Sequence, residues 1–161
     1  MSFIRILNKI PNKICIALSG GLDSMVCLDF LIKGKKDILA LHFNHNTSDS
    51  DLYEDFVKRY CKDKNIKLVT GINTEDIPAK RSKEDFWREK RYNFLSKNRG
   101  SRKVITCHHL DDAVETWVFS SLKGNSKTIP YSRDYIIRPF ILNKKEVLVN
   151  WAKRNSVPFI E

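Results

Sequence analysis

Cysteine and long apolar runs are scarce in this chain of 161 residues. The four cysteines are scattered without a C-x-x-C pair, so their spacing predicts neither a zinc site nor a disulfide framework. No apolar run approaches membrane-spanning length, and residues 1–11 lack the succession of segments that marks a signal peptide. We therefore expect a cytoplasmic protein without a membrane partner, folded as a single domain over residues 1–161.

Acidic residues are also in the minority, because 29 lysines and arginines face 19 aspartates and glutamates, for a formal charge of +10. The segment from Lys80 to Lys103 alone carries ten basic and three acidic residues. Such a segment is typical of a solvated helix face or of a surface that attracts a polyanion such as RNA. The charge alone does not choose between these two interpretations.

The apolar pattern alternates between strands and helices along the chain. The strands are predicted at Ile14–Leu18, Ile38–Phe43, Ile66–Thr70, Lys103–Cys107 and Tyr135–Ile137, and Val157–Ile160 closes the chain. The helices are predicted at Ser24–Gly34, Asp51–Lys64, Glu84–Lys97, Asp111–Lys123 and Lys144–Asn155. This order predicts a doubly wound α/β fold, with a mainly parallel sheet and helices on both of its faces.

A glycine pair follows the first predicted strand, in the segment Ser19-Gly20-Gly21-Leu22-Asp23-Ser24. The glycines let the backbone bend towards a ligand, and the N-terminus of the following helix favours anions. An ordinary strand-to-helix turn with a capping residue explains one glycine and one cap, but not the whole segment. We interpret it as a phosphate-binding loop. A carboxylate beside phosphates is repelled unless a cation intervenes, so Asp23 suggests Mg²⁺.

A second polar segment, Thr106 to Thr116, follows the fourth strand and opens a helix. Asp112 and Glu115 are three residues apart, which places both carboxylates on one helix face. They are suited to bind a metal or a cationic amine, although acidic residues in a first helical turn are also ordinary capping groups. The adjacent His108 is a candidate general base or phosphate ligand.

Several motifs in the same order resemble one superfamily. The Ser19–Ser24 segment is similar to the S-G-G-x-D-S signature of the N-type ATP pyrophosphatases, the PP-loop superfamily. Within it, the catalytic domain of the tRNA(Ile)-lysidine synthases is the nearest resemblance. The matching segments are His42–His45, Ser82–Tyr92, His108–Thr116 and Ile137–Phe140. The resemblance covers about residue 13 to Glu161 and implies an adenine nucleotide alpha hydrolase-like fold.

The resemblance implies that a wobble cytidine is adenylated by ATP at its C2 carbonyl and that L-lysine then displaces AMP. It implies ATP and pyrophosphate contacts for one set of residues: Ser19, Gly20, Gly21, Leu22, Asp23, Ser24 and His42. The implied catalytic residues are Asp23, Arg88, His108, Asp112 and Glu115. Asp23 and Asp112 are the implied ligands of Mg²⁺.

The implied RNA partner is an isoleucine tRNA with a CAU anticodon. Lys83, Arg91, Arg99 and Arg102 are the implied RNA-binding residues. The family's C-terminal tRNA-binding domains have no counterpart in the sequence, so a homodimer or a partner protein is expected to assist tRNA recognition. The chain departs from the family at Trp87, where a small residue is usual.

Three alternatives stay open on the sequence. The first is a tRNA thiolase of the same superfamily. Cys107, in the second polar segment, favours this alternative. The second is an amide-forming ligase that resembles NAD or GMP synthetases. The third is a nucleotide-binding module without catalysis, or one that depends on a partner.

Overall fold

The computed structural model describes residues 3–161, so the first two residues of the expected domain lie outside the described part. The strands are Lys13–Ala17 (β1), Asp37–Asn44 (β2), Lys67–Ile72 (β3), Lys103–Ile105 (β4), Ser132–Arg133 (β5) and Ile136–Ile137 (β6). The helices are Leu22–Lys33 (α1), Ser50–Asp63 (α2), Lys83–Asn98 (α3), Leu110–Leu122 (α4) and Lys145–Asn155 (α5).

The six strands form one sheet in the order β3-β2-β1-β4-β6-β5. All neighbours pair in parallel except β5 and β6, which are antiparallel. The sequence order reverses on either side of β1, because β2 and β4 both pair with it. Ligands bind beyond the carboxyl ends of strands at such a switch point. The fold therefore directs attention to the ends of β1, β2 and β4.

Both faces of the sheet are covered, which confirms the predicted doubly wound fold. Ile14 and Ile16 of β1 pack with α1, α2 and α5, whereas the intervening Cys15 packs with Leu95 of α3 on the opposite face. This alternation follows from the two-residue period of a strand. Leu110–Leu122 differs from the other helices, because none of its residues is buried.

The predicted elements are confirmed apart from their ends and two local differences. The β5 strand was not predicted, since its two residues are both exposed and polar and carry no apolar signal. The chain after Val157 forms no strand; instead, the backbone N–H of Ile160 donates to the carbonyl oxygen of Gly20 at 3.0 Å. Within residues 3–161, no helix combines the length and the apolar character needed to cross a membrane.

Candidate active site at the carboxyl edge of the sheet

The Ser19–Ser24 loop connects β1 to α1 and curls around one hydroxyl. The Oγ of Ser24 accepts from the backbone N–H groups of Ser19, at 3.1 Å, and of Gly20, at 3.2 Å. Gly20 has φ of +92°, a value that L side chains rarely adopt, and a Cβ there would lie 3.3 Å from Tyr53. The loop thus gathers backbone N–H groups at the start of α1, as a phosphate-binding nest requires.

Asp23 lies between a lysine and a histidine from distant parts of the chain. Its Oδ1 is 2.6 Å from the ammonium nitrogen of Lys145 in α5, and its Oδ2 is 3.5 Å from Nε2 of His109. Burial raises the pKa of the Asp23 carboxyl, but the hydrogen bonds from His109 and Lys145 outweigh it and hold the pKa below its usual value. The carboxylate next to the loop is therefore ionised and compensated by protein groups.

His109 also fixes the start of α4. Its Nδ1 accepts from the backbone N–H of Asp112 at 3.4 Å, and its own backbone N–H donates to the Asp112 carboxylate at 2.8 Å. This reciprocal pair is a capping box, with histidine in place of the usual serine or threonine. Burial lowers the pKa of His109, but the hydrogen bond to Asp23 and the charges of Asp112 and Asp23 raise it above its ordinary value. The ring therefore links the phosphate loop to the first turn of α4.

Four of the five predicted catalytic residues line a single cavity of about 770 Å³, which we call the acceptor cavity: Arg88, His108, Asp112 and Glu115. Arg138 lines it as well. Burial and the charge of Arg138 lower the pKa of His108 to about 4, and its Nδ1 is 3.0 Å from the hydroxyl of Thr106. A base with so low a pKa holds a proton weakly at neutral pH, so His108 is better suited to hydrogen bonding than to general base catalysis.

A second cavity, of about 340 Å³, lies beyond β1 and β2, and we call it the nucleoside cavity. It is lined by Ser19 of the loop, by His42 and His45, and by Arg91 of α3. The Nδ1 of His42 is 2.8 Å from the carbonyl oxygen of Leu18, which identifies Nδ1 as the protonated nitrogen and leaves Nε2 an acceptor. That Nε2 is buried without a hydrogen-bond partner. A nucleoside amino or hydroxyl group in this cavity would satisfy it.

The four predicted RNA-binding residues do not form one surface. Lys83 and Arg91 lie on α3, which starts near the carboxyl edge of the sheet. Arg99 and Arg102 follow its other end, and a helix of 16 residues separates its ends by roughly 24 Å. Arg102 pairs with Asp37 at the start of β2, and Arg99 packs 4.7 Å from the Tyr135 ring. The geometry therefore places Arg99 and Arg102 at the edge opposite the loop.

Two carboxylates, those of Asp23 and Asp112, are the expected ligands of Mg²⁺. Within the described part of the chain, no three histidine, cysteine or acidic side chains converge as metal ligands. Asp23 and Asp112 both contact the His109 ring, from its two nitrogens. Mg²⁺ commonly takes one or two carboxylates and completes its shell with water and substrate phosphates. Asp23, in the first turn of α1 beside the phosphate loop, fits that pattern as one such carboxylate.

Three residues of the site escaped the sequence-based assignment. Lys145 is 122 positions from Asp23, so no local pattern connects them. His109 lies in the second polar segment, but its role depends on contacts with α1 that spacing does not reveal. Arg138 lies in the Ile137–Phe140 segment, and only the structure places it in the acceptor cavity.

Comparison with known proteins identifies the class to which this fold and site belong. The model of the PP-loop domain family matches residues 2–161, and the chain belongs to this nucleotide-binding family. The expected resemblance is thereby confirmed. The chain is 32% identical to the tRNA(Ile)-lysidine synthase of Thermotoga maritima, over 91% of this chain and 39% of that protein. It is 36% identical to the tRNA(Ile)-lysidine synthase of Persephonella marina, over 92% of this chain and 36% of the relative.

The chain therefore spans well under half the length of these curated relatives. Among solved structures, it resembles the NH3-dependent NAD synthetase of Campylobacter jejuni with a TM-score of 0.59 and 15% identity. That alignment covers 93% of this chain and 66% of the synthetase. At this identity the likeness establishes a shared fold and nothing about the substrate.

Proposed function

We propose that this chain is the ATP-using catalytic domain of a tRNA-modifying ligase, which activates the C2 carbonyl of a wobble cytidine and joins lysine to it. The observation that carries the proposal is the convergence of the phosphate loop with Arg88, His108, Asp112 and Glu115 at one edge of the sheet. The lysidine synthase relatives support the choice of substrate. The proposed RNA is an isoleucine tRNA with a CAU anticodon.

ATP is proposed to place its nucleoside in the nucleoside cavity and its phosphates on the loop. The acceptor Nε2 of His42 is available to the nucleoside, and Ser19 belongs to both the cavity and the loop. The backbone N–H groups of Ser19 and Gly20, which now donate to Ser24, are suited to the departing pyrophosphate. The hydroxyl of Ser24 would then donate to the same anion.

The first chemical step requires positive charge at the α-phosphate. The cytidine O2 attacks the α-phosphorus, the new P–O bond forms and pyrophosphate leaves. Arg88 lines the acceptor cavity and carries the planar guanidinium that pairs bidentately with phosphoryl oxygens. Mg²⁺, when bound by Asp23 and Asp112, would supply further charge neutralisation.

The second step requires a neutral amine. The lysine nitrogen attacks C2, the C2–O bond breaks and AMP leaves with that oxygen. Asp112 and Glu115 lie one helical turn apart in the acceptor cavity, where they can bind the ammonium and receive its proton. His108, which is neutral because of its low pKa, is suited to hydrogen-bond the activated base.

Pyrophosphate release tests the proposal. The purified chain, with ATP, Mg²⁺, lysine and total tRNA, should sustain pyrophosphate release over many turnovers only when both tRNA and lysine are present, and lysidine should appear in the nucleoside digest. Asp112→Asn should lower the rate of lysidine formation about a hundredfold, because it removes the proton acceptor. Lys97→Met, an exposed charge in the last turn of α3, is the matched control and should retain activity.

The outcomes separate the remaining alternatives. Sustained release over many turnovers that needs tRNA but no lysine would contradict lysine as the nucleophile and favour the thiolase alternative, for which the half-buried Cys107 is the candidate thiol. ATP binding without turnover would favour a module that needs a partner protein or a second copy. An Asp112→Asn variant with full activity would contradict the assigned role of the first turn of α4.

A further inference from the structure

Arg138 is a buried cation without a counter-ion. Its side chain is at the end of β6, where the residue is only 5% exposed. One guanidinium nitrogen, Nη1, donates to the carbonyl oxygen of Pro130 at 2.9 Å, and Nε is buried without a hydrogen-bond partner. None of the ion pairs formed within residues 3–161 includes it. A structural arginine at this depth would normally face a carboxylate.

The placement of Arg138 has an energetic consequence. A buried charge is strongly unfavourable unless it is paired and hydrogen-bonded. One carbonyl oxygen satisfies a small part of a guanidinium, which has five N–H donors. Arg102, by contrast, is less buried and still pairs with the carboxylate of Asp37. An anion from outside the chain would satisfy the remaining donors of Arg138.

Two cavities meet at this residue. Arg138 and Arg88 line the acceptor cavity, and both also line a third cavity of about 310 Å³. The third cavity contains Arg133 and the rings of Tyr92 and Tyr135. Two arginines therefore border both open spaces, and a guanidinium is the group that pairs bidentately with phosphoryl oxygens.

The neighbouring histidine points to the same ligand. Burial and the charge of Arg138 together lower the pKa of His108 to about 4. His108 therefore stays neutral at pH 7, and Arg138 and Arg88 supply the fixed positive charge beside both cavities. Fixed guanidinium groups suit the planar, bidentate recognition of phosphoryl oxygens better than a titrating imidazole does.

We propose that Arg138 is a phosphate-binding residue, which acts with Arg88 to hold one phosphoryl group at the wall between the acceptor cavity and the third cavity. The ligand class is a phosphate ester. Two sources share this chemistry: the AMP moiety formed in the proposed reaction and a phosphate of the RNA backbone. The assignment to AMP rests on the proposed function, whereas the anion site itself does not.

The test compares AMP with adenosine. The ratio of their dissociation constants, measured by calorimetry on the full chain, isolates the contribution of the phosphate. Arg138→Gln should reduce the advantage of AMP over adenosine about tenfold. Arg59→Gln is the matched control, because Arg59 is exposed on α2 and lines neither of the two cavities; it should leave the ratio unchanged. In Arg138→Lys the advantage of AMP over adenosine should lie between those of Arg138→Gln and the unmodified chain, since an ammonium keeps the charge but loses the fork geometry.

The arms of the experiment distinguish the two sources. If the AMP ratio is unchanged in Arg138→Gln but affinity for a short anticodon stem-loop RNA falls about tenfold with a shallower salt dependence, the phosphate belongs to RNA. If neither quantity changes, the proposal is wrong. If Arg138→Gln does not melt cooperatively, it is not folded, and the same measurements on Arg138→Lys then test the proposal. If the unmodified chain does not bind adenosine, the proposed function is contradicted. The anion site is not, because the measurement of RNA affinity tests it separately.

Discussion

At the scale of single residues, the charge of Asp23 beside the phosphate loop is compensated by other protein groups. A carboxylate beside a phosphate site needs a cation, and the sequence predicts Mg²⁺ in that role. The structure adds the Lys145 ammonium at 2.6 Å, together with the His109 ring. Lys145 comes from α5, so its approach depends on the packing of α1 against α5. The loop motif could be predicted because its residues are contiguous, whereas this partner required the tertiary fold.

The Asp23 pair makes a prediction for nucleotide binding. In Lys145→Met, Asp23 loses its compensating charge next to the phosphates, and we expect the dissociation constant of ATP to rise about tenfold. The half-exposed lysine is partly screened by water, which argues against a larger effect. Titration of the purified chain with ATP measures the change. Lys144→Met, on the exposed neighbouring lysine, is the control, and equal weakening by both variants would contradict a specific role for Lys145.

At the scale of elements, α3 was predicted almost residue by residue, whereas the short β5 and the exact strand ends were not. A helix of 16 residues carries a long periodic signal, and Ser82 caps it by accepting from the backbone N–H of Asp85. The two residues of β5 carry no such signal, because that strand exists only through its pairing with β6. The alternation of predicted strands and helices was enough to predict the sheet. The register of strand pairing and the partners of exposed strands depend on contacts distant in sequence.

The contact between β3 and α3 can be tested at Gly71. A Cβ at this position would lie 2.6 Å from the ring of Phe94, so alanine would push α3 away from the sheet. We expect Gly71→Ala to lower the free energy of unfolding by about 2 kcal/mol, as overpacked sites do. Urea denaturation measures this loss. Gly100→Ala is not a neutral comparison because its φ is +61°; the variant Gly71→Ala/Phe94→Leu should instead recover part of the stability.

At the scale of the whole molecule, three histidines that are buried or half-buried couple stability to pH. The pKa values of His45 and His108 are lowered to about 4, chiefly by burial, and burial lowers the pKa of His42 as well. Since the unfolded chain binds these protons near pH 6.5, it takes up more protons than the native state between pH 6.5 and 4. Their neutral forms therefore stabilise the native state fully above pH 6.5, and this stabilisation is lost as the pH falls towards 4.

Replacing two of these histidines should flatten that dependence. We expect the free energy of unfolding of the unmodified chain to fall between pH 7 and pH 4.5, and His45→Gln/His108→Gln to lose about 2 kcal/mol less over the same interval, because glutamine does not titrate. Carboxylates such as Asp23 are present in both proteins, so their contribution cancels in the difference. His109, whose pKa is raised, is likewise present in both proteins, so its contribution also cancels. Urea denaturation at the two pH values provides the comparison, and parallel losses in both proteins would show that the depressed histidine pKa values do not govern acid stability.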